Sequence, residues 1–116
     1  MTLEELRQEF PDATAETWRQ HPNGGGWVEN TAHVDDTAYV GPEAVVSDRA
    51  CILDMAHVYG QARIYGQARI YDQARICDQA RIYDRARLCD RAIVSGKVLV
   101  YGDTLVCGGT RIHGAS

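Results

Sequence analysis

The stretch Ala62-Arg63-Ile64-Tyr65-Gly66-Gln67, Ala68-Arg69-Ile70-Tyr71-Asp72-Gln73, Ala74-Arg75-Ile76-Cys77-Asp78-Gln79 runs through one six-residue pattern three times. Followed outward in both directions, the pattern holds. An aliphatic residue recurs every six positions as Val28, Val34, Val40, Val46, Ile52, Val58, Ile64, Ile70, Ile76, Ile82, Leu88, Val94, Val100, Val106 and Ile112, so that all 15 positions are Val, Ile or Leu. Four residues after each stands a small one: Ala from Ala32 to Ala92, then Val98, Thr104, Thr110 and Ser116. Self-similarity at a short fixed period is the mark of a solenoid.

Within a hexad the Ala and the aliphatic residue lie two apart, so on a strand they share a face. In Ala-Arg-Ile-Tyr the Ala and Ile point inward, while Arg and Tyr point outward. The Gly-Gln or Asp-Gln that follows has turn chemistry. A helix cannot use this period, because six residues turn the chain through about 600° and scatter the aliphatics around the axis. Branched aliphatics therefore fill the flat faces of a narrow core and Ala fits near its corners.

Composition agrees. The 116 residues include 14 Ala, 10 Val and 7 Ile against one Phe and two Trp, which argues against an aromatic-filled core. The length supports a single domain. No apolar run approaches a membrane span, and the acidic start Met1-Thr2-Leu3-Glu4-Glu5 is unlike a signal or transit peptide, so no membrane association and a cytoplasmic location are expected.

The aliphatic residue followed four positions later by a small one resembles the motif of the hexapeptide-repeat family, over residues 28–116. That resemblance implies a left-handed parallel β-helix with three hexads per triangular coil; ordinary crossover rules would favour the other hand. Fifteen hexads then make about five coils, a stack of roughly 24 Å at the spacing of paired strands. The expected fold is an all-β solenoid: residues 28–116 form the β-helix, and residues 1–27 form a helical cap with a Gly-rich lead-in.

A solenoid needs its ends closed. Thr2 with Glu5 three residues on forms a capping box, and Leu3, Leu6 and Phe10 share one helical face before Pro11 ends the helix. A second short turn is expected around Thr14 to Gln20, followed by a flexible loop, His21 to Gly26. Leu3, Leu6, Phe10 and Trp18 are expected to plug the first coil. At the other end the chain stops at Ser116 without a C-terminal helix. There the outward series Arg63, Arg69, Arg75, Arg81, Arg87 gives way to Ile93, Leu99 and Leu105, one on each face of a coil. This apolar girdle is expected to join copies into a homo-oligomer.

The resemblance makes an acyltransferase using acyl-CoA the first enzymatic reading, with a catalytic His and a loop extruded between coils. The 15 hexads run without an insertion, so that loop is missing. His21 falls in the lead-in, and His33, His57 and His113 take outward strand positions, where a solvated His is the ordinary state. The family's zinc carbonic anhydrases need three His gathered together, but His33 and His57 are 24 residues apart and fall on different faces. No catalytic residue, metal or cofactor is expected. The four Cys lack C-x-x-C spacing. Cys89 and Cys107, 18 residues apart, stack one coil apart at about 5 Å, within disulfide range, though free thiols are the expectation for a cytoplasmic protein.

Spacing by eighteen turns sequence into columns. One face carries Tyr65, Tyr83 and Tyr101 with Arg63 and Arg81; a second stacks Arg69 and Arg87 beside Tyr71; a third holds Tyr59 and Arg75. Such ladders stabilise a sheet by stacking, and Tyr and Arg also dominate binding hot spots. Arg63, Tyr65, Arg81, Tyr83 and Tyr101 are the candidate binding residues. Asp36, Asp54, Asp72 and Asp90 form a corner column whose carboxylates can bond backbone N–H groups. Residues 1–48 carry two basic and ten acidic side chains, residues 49–116 ten basic and six acidic. The Arg residues surround all faces with Asp between them, which argues against a nucleic-acid groove.

The expected function is accordingly a non-catalytic protein-binding or scaffold role for a rigid oligomeric rod. The alternatives are a small acyltransferase and, from its likeness in size to compact phage-encoded hexapeptide proteins, an inhibitor of a host defence protein.

Overall fold

The chain folds into three parallel sheets wound around one lumen, described over residues 1–114 of a computed structural model. Ser116, the end of the small-residue series, lies outside the described residues. With strands numbered along the chain, the first sheet orders β1 (Trp18–Gln20), β2 (Trp27–Glu29), β5 (Val45–Val46), β8 (Arg63–Ile64), β11 (Arg81–Ile82) and β14 (Leu99–Val100). The second orders β3 (His33–Val34), β6 (Cys51–Ile52), β9 (Arg69–Ile70), β12 (Arg87–Leu88) and β15 (Leu105–Val106). The third orders β4 (Tyr39–Val40), β7 (His57–Val58), β10 (Arg75–Ile76), β13 (Ile93–Ser95) and β16 (Arg111–His113). From β2 on, each strand pairs in parallel with the strand one coil away, as in Arg63↔Arg81↔Leu99. The protein is thus an all-β solenoid of about five coils with one short N-terminal helix.

The two inward series make the lumen. Every Ala from Ala38 to Ala92 and every aliphatic from Val40 to Val94 is fully buried, and the core contains no aromatic residue. Strand spacing fixes the height of each layer, so side chains must fill it by branching, as Val and Ile do.

The corners show why only two residue types follow the strands. From Asp48 to Gly108 every sixth residue has positive φ, between 56° and 77°, and each is Gly or Asp. Glycine takes this region without penalty, and Asp is among the few side chains that tolerate it. Each such Asp carboxylate then accepts from the N–H of the residue one coil on: Asp48 from Gly66, Asp54 from Asp72, Asp72 from Asp90, Asp78 from Gly96, Asp84 from Gly102 and Asp90 from Gly108, all at 2.9–3.1 Å. The expected Asp column begins one residue earlier than the sequence suggests. Asp35, not Asp36, holds the Asp54 N–H, at 2.9 Å.

The N-terminal segment departs further from expectation. Helix α1 (Leu3–Glu9) has its capping box: Glu5 N–H donates to Thr2 Oγ1 at 3.2 Å, and Thr2 N–H to Glu5 Oε1 at 2.9 Å. It does not plug the coil. Leu6, Ala13 and Trp18 pack with Met1, Leu3 and Phe10 on Trp27 and Val45, which precede the inward Val28 and Val46 and so face outward. The Val/Ala lumen has no room for Phe or Trp, and the apolar pair Trp27/Val45 gives the helix a seat on the side wall.

The end is closed by backbone. The turn expected from Thr14 is present over residues 15–17, with the Thr17 and Trp18 N–H groups donating to the Thr14 carbonyl at 3.2 and 3.1 Å, but Trp18–Gln20 continue from it as β1, antiparallel to β2. The expected flexible loop is a built cap over β4. Gly26 N–H bonds the Val40 carbonyl at 2.9 Å, Val40 N–H the Asn23 carbonyl at 3.0 Å, and the buried His21 places Nε2 2.7 Å from the Ala38 carbonyl. Gly24, at φ +116°, approaches so closely that a Cβ there would strike the Val40 carbonyl. Arg19 covers the remaining edge, donating to the carbonyls of Glu29 and Ala32 at 3.3 and 3.1 Å. Among the described residues no helix is long and apolar enough to cross a membrane.

Candidate recognition face

The outer surface of the first sheet is assembled from two columns: Trp27, Val45, Arg63, Arg81 and Leu99 ahead of the inward aliphatics, and Glu29, Ser47, Tyr65, Tyr83 and Tyr101 behind them. Helix α1 covers the first two rungs and leaves the later ones open. Rung spacing stacks the tyrosines. Tyr65 and Tyr83 have ring centroids 5.0 Å apart with planes 3° from parallel, and Tyr83 and Tyr101 are 5.5 Å apart at 14°. Desolvation raises the Tyr83 phenol above its ordinary value, with Tyr65, Asp84 and Tyr101 adding to the effect, so at neutral pH its hydroxyl is protonated and can donate.

The two arginines of this face differ. Arg63 Nε donates to Glu9 Oε2 at 2.6 Å, and its Nη1 to the Glu43 carbonyl at 2.9 Å. It fastens the end of α1 to the third rung while lining, with Arg81, two shared recesses. Arg81, one rung on, is exposed and forms no ion pair among the described residues. It lines two shallow recesses of about 370 and 440 Å³, the first walled by Glu9 and Phe10, the second by Lys97 and Leu99. Leu99 and Tyr101 are 54% and 55% exposed and extend the face.

The other faces are as the columns imply: Arg69 and Arg87 pair in register on the second sheet, and Arg75 and Tyr59 share the third. Burial raises the Tyr59 phenol and, beside it, the Cys77 thiol. Among the described residues Arg63 is the one Arg paired with a carboxylate. Each positive-φ corner carboxylate accepts a backbone N–H through its Oδ2 instead.

The histidines do not gather. His33 Nε2 lies 2.8 Å from Asp35 Oδ1, His57 Nδ1 2.8 Å from the Met55 carbonyl, and His113 Nδ1 2.9 Å from Ser95 Oγ, on the second, third and third sheets. The Asp54 N–H, then His33, hold the Asp35 carboxyl below the usual range. Two contact residues lie outside the expected sites: Ser95, which stands eighteen positions before His113 and so one coil from it, and Glu9, which carries no sequence signal. Ile93, Leu99 and Leu105 lie on three different sheets, so no single flat contact covers them all.

Cys89 and Cys107 form a disulfide, with Cα atoms 4.7 Å apart, whereas free thiols were expected. The parallel ladder sets them opposite each other one coil apart, where the sulfurs meet without backbone movement. Cys51 and Cys77 are free. Cys89, Asp90 and Cys107 place three potential ligand atoms within 4.8 Å, but both sulfurs are already joined to each other. Compared with protein-family models, with curated proteins and with solved structures, the chain matches none of them.

Proposed function

We propose that this chain is a compact hexapeptide-repeat protein of non-catalytic type, a rigid rod that recognises an acidic protein surface through the first sheet. The observation that carries the reading is the Tyr65–Tyr83–Tyr101 ladder beside the unpaired Arg81. Stacked rings on a parallel sheet are ordered before a partner arrives, so little side-chain entropy is lost on contact. Arg81 supplies a planar fork of donors suited to a carboxylate. Residues 49–116 carry a net charge of +4, from ten basic and six acidic side chains, which favours an acidic partner. Self-association through the coil bearing Ile93, Leu99 and Leu105 and a cytoplasmic setting belong to the same reading.

The test is capture from bacterial lysate on immobilised wild type, Arg81→Glu, Tyr83→Ser and, on the third sheet, Arg75→Glu. A stoichiometric protein held by wild type and Arg75→Glu but lost from the first-sheet variants is the expected result. Equal retention by all four, or saturable acetyl-CoA turnover by the wild type, would overturn the proposal. Light scattering compares wild type with Leu99→Asp. A smaller species for the variant supports self-association, and an identical monomer for both refutes it.

A further inference from the structure

The Cys89–Cys107 bond closes one complete coil of the solenoid on itself, and that covalent ring contains β13, β14, Leu99 and Tyr101. We propose that this bond is a reversible redox lock, opened by dithiols, whose opening loosens the 89–113 region while the earlier coils stay wound.

Register is the first support. Cys89 N–H bonds the Val106 carbonyl at 3.0 Å, so the sulfurs meet only when β12 and β15 are already paired. Oxidation thus fixes a coil that has wound correctly. The weakness of this coil is the second. The buried Ala series ends at Ala92; Thr104 and Thr110 are exposed, and their hydroxyls bond carbonyls of their own coil, Tyr101 and Cys107, at 2.6 and 2.8 Å. Ile112 is only partly buried, whereas the aliphatics from Val40 to Val94 are fully enclosed. A covalent tie therefore matters more here than anywhere earlier in the described chain.

Access sets the chemistry. Cys89 is 6% exposed and Cys107 half-buried, so an incoming thiolate attacks Cys107 Sγ. The Sγ–Sγ bond breaks, and Cys89 Sγ leaves with the electron pair and takes a proton. The second thiolate of the reagent then attacks its own sulfur in the mixed disulfide; Cys107 Sγ leaves and takes a proton, and the reagent departs as a disulfide. Two electrons and two protons pass to the protein. The Asp90 carboxylate, within 4.8 Å of both sulfurs, opposes a thiolate on either. Monothiols are consequently poor openers, and a dithiol, which completes the exchange intramolecularly, is the effective class. In the cytoplasmic setting proposed above, a disulfide that forms is characteristically transient and redox-sensing. Tyr101 stacks on Tyr83 from inside the ring, so on the proposed recognition reading the lock would also set the length of the tyrosine ladder.

The experiment is hydrogen exchange by mass spectrometry on the partner-free chain, in oxidised glutathione and in dithiothreitol. Closing this ring, with its cysteines 18 positions apart, should slow opening of the coil on the order of 100-fold, so the amides of residues 81–93 that donate to carbonyls of residues 98–110, and those of Gly102 and Gly108, should exchange faster by about that factor after reduction, with residues 57–71 unchanged. The double variant Cys89→Ser, Cys107→Ser should match the reduced chain in both buffers, and Cys51→Ser, Cys77→Ser should keep the response. Equal protection in both buffers, uniform loosening of the whole chain, or four titratable thiols after oxidised glutathione would overturn the lock. Dithiothreitol on the wild type decides the matter even if the double variant fails to fold. Because no partner is present, failure here leaves the recognition reading standing, and its failure leaves the lock standing.

Discussion

Asp72 allows the corner chemistry to be separated into its parts. Its φ is +59°, its N–H donates to Asp54 Oδ2 at 3.1 Å, and its own Oδ2 accepts from Asp90 N–H at 3.1 Å. Asp72→Ala removes the acceptor, worth about 1 kcal/mol at a half-buried site, and sets an ordinary Cβ in the left-handed region, a further penalty of about 1–2 kcal/mol. The expected loss is about 2–3 kcal/mol. Asp72→Gly loses the same acceptor but removes the backbone penalty, so it should stay within about 1 kcal/mol of wild type. Asp72→Asn keeps an acceptor and the tolerance for positive φ, and should behave like the Gly variant. Thermal and urea unfolding followed by circular dichroism would read this as a Tm drop of about 8–12 °C for Ala and under about 4 °C for Gly and Asn. Gln73→Ala, one residue along, serves as the control. If Ala and Gly prove equally stable, backbone conformation is not what restricts the corner to Gly and Asp.

Two further outcomes follow from the lumen and the capped end. Ile76 is fully buried between Val58 and Val94, and strand pairing holds the layers apart. Ile76→Ala should therefore leave an uncollapsed cavity and lose about 3–5 kcal/mol in urea unfolding, with Ile76→Val losing about 1; a loss below about 1.5 for Ala would show that the lumen closes. The Glu5 carboxyl is held below its usual range by the Thr2 N–H and hydroxyl, and Asp35 by the Asp54 N–H and His33. A depressed carboxyl stabilises the fold above its unfolded value, near pH 4, and loses that contribution as pH falls through the lowered value. Amide protection, taken relative to the intrinsic exchange rate at each pH, should thus fall in α1 and around Asp54 between about pH 4 and 2, and less so in Glu5→Gln and Asp35→Asn. Protection that does not change across that range would refute the assignment.

The hexad made most of the fold legible because it is local and repeated. Each Ala–x–aliphatic triplet states which side chains enter the lumen, and fifteen copies leave a single register open. The tyrosine ladder was legible for the same reason: residues 65, 83 and 101 differ by one coil each. What was not legible rests on pairings outside the period. Arg63 looks identical to Arg81 in sequence, yet Glu9, 54 residues away, makes one a fastener and leaves the other free. Asp36 fits the column by spacing, yet it lacks the positive φ of the later corner Asp residues, and Asp35 holds the Asp54 N–H in its place.

By itself, then, the sequence determined the solenoid, its coil count and the outward columns, because an alternation of inward and outward residues at fixed period is satisfied by stacking alone. The tertiary structure decided the rest. It seated α1 on the side wall, turned Trp18–Gln20 into a strand, closed the end with His21, and joined Cys89 to Cys107. Each of these depends on the space and unpaired groups left after the coils have stacked, and such quantities exist only once the chain has folded.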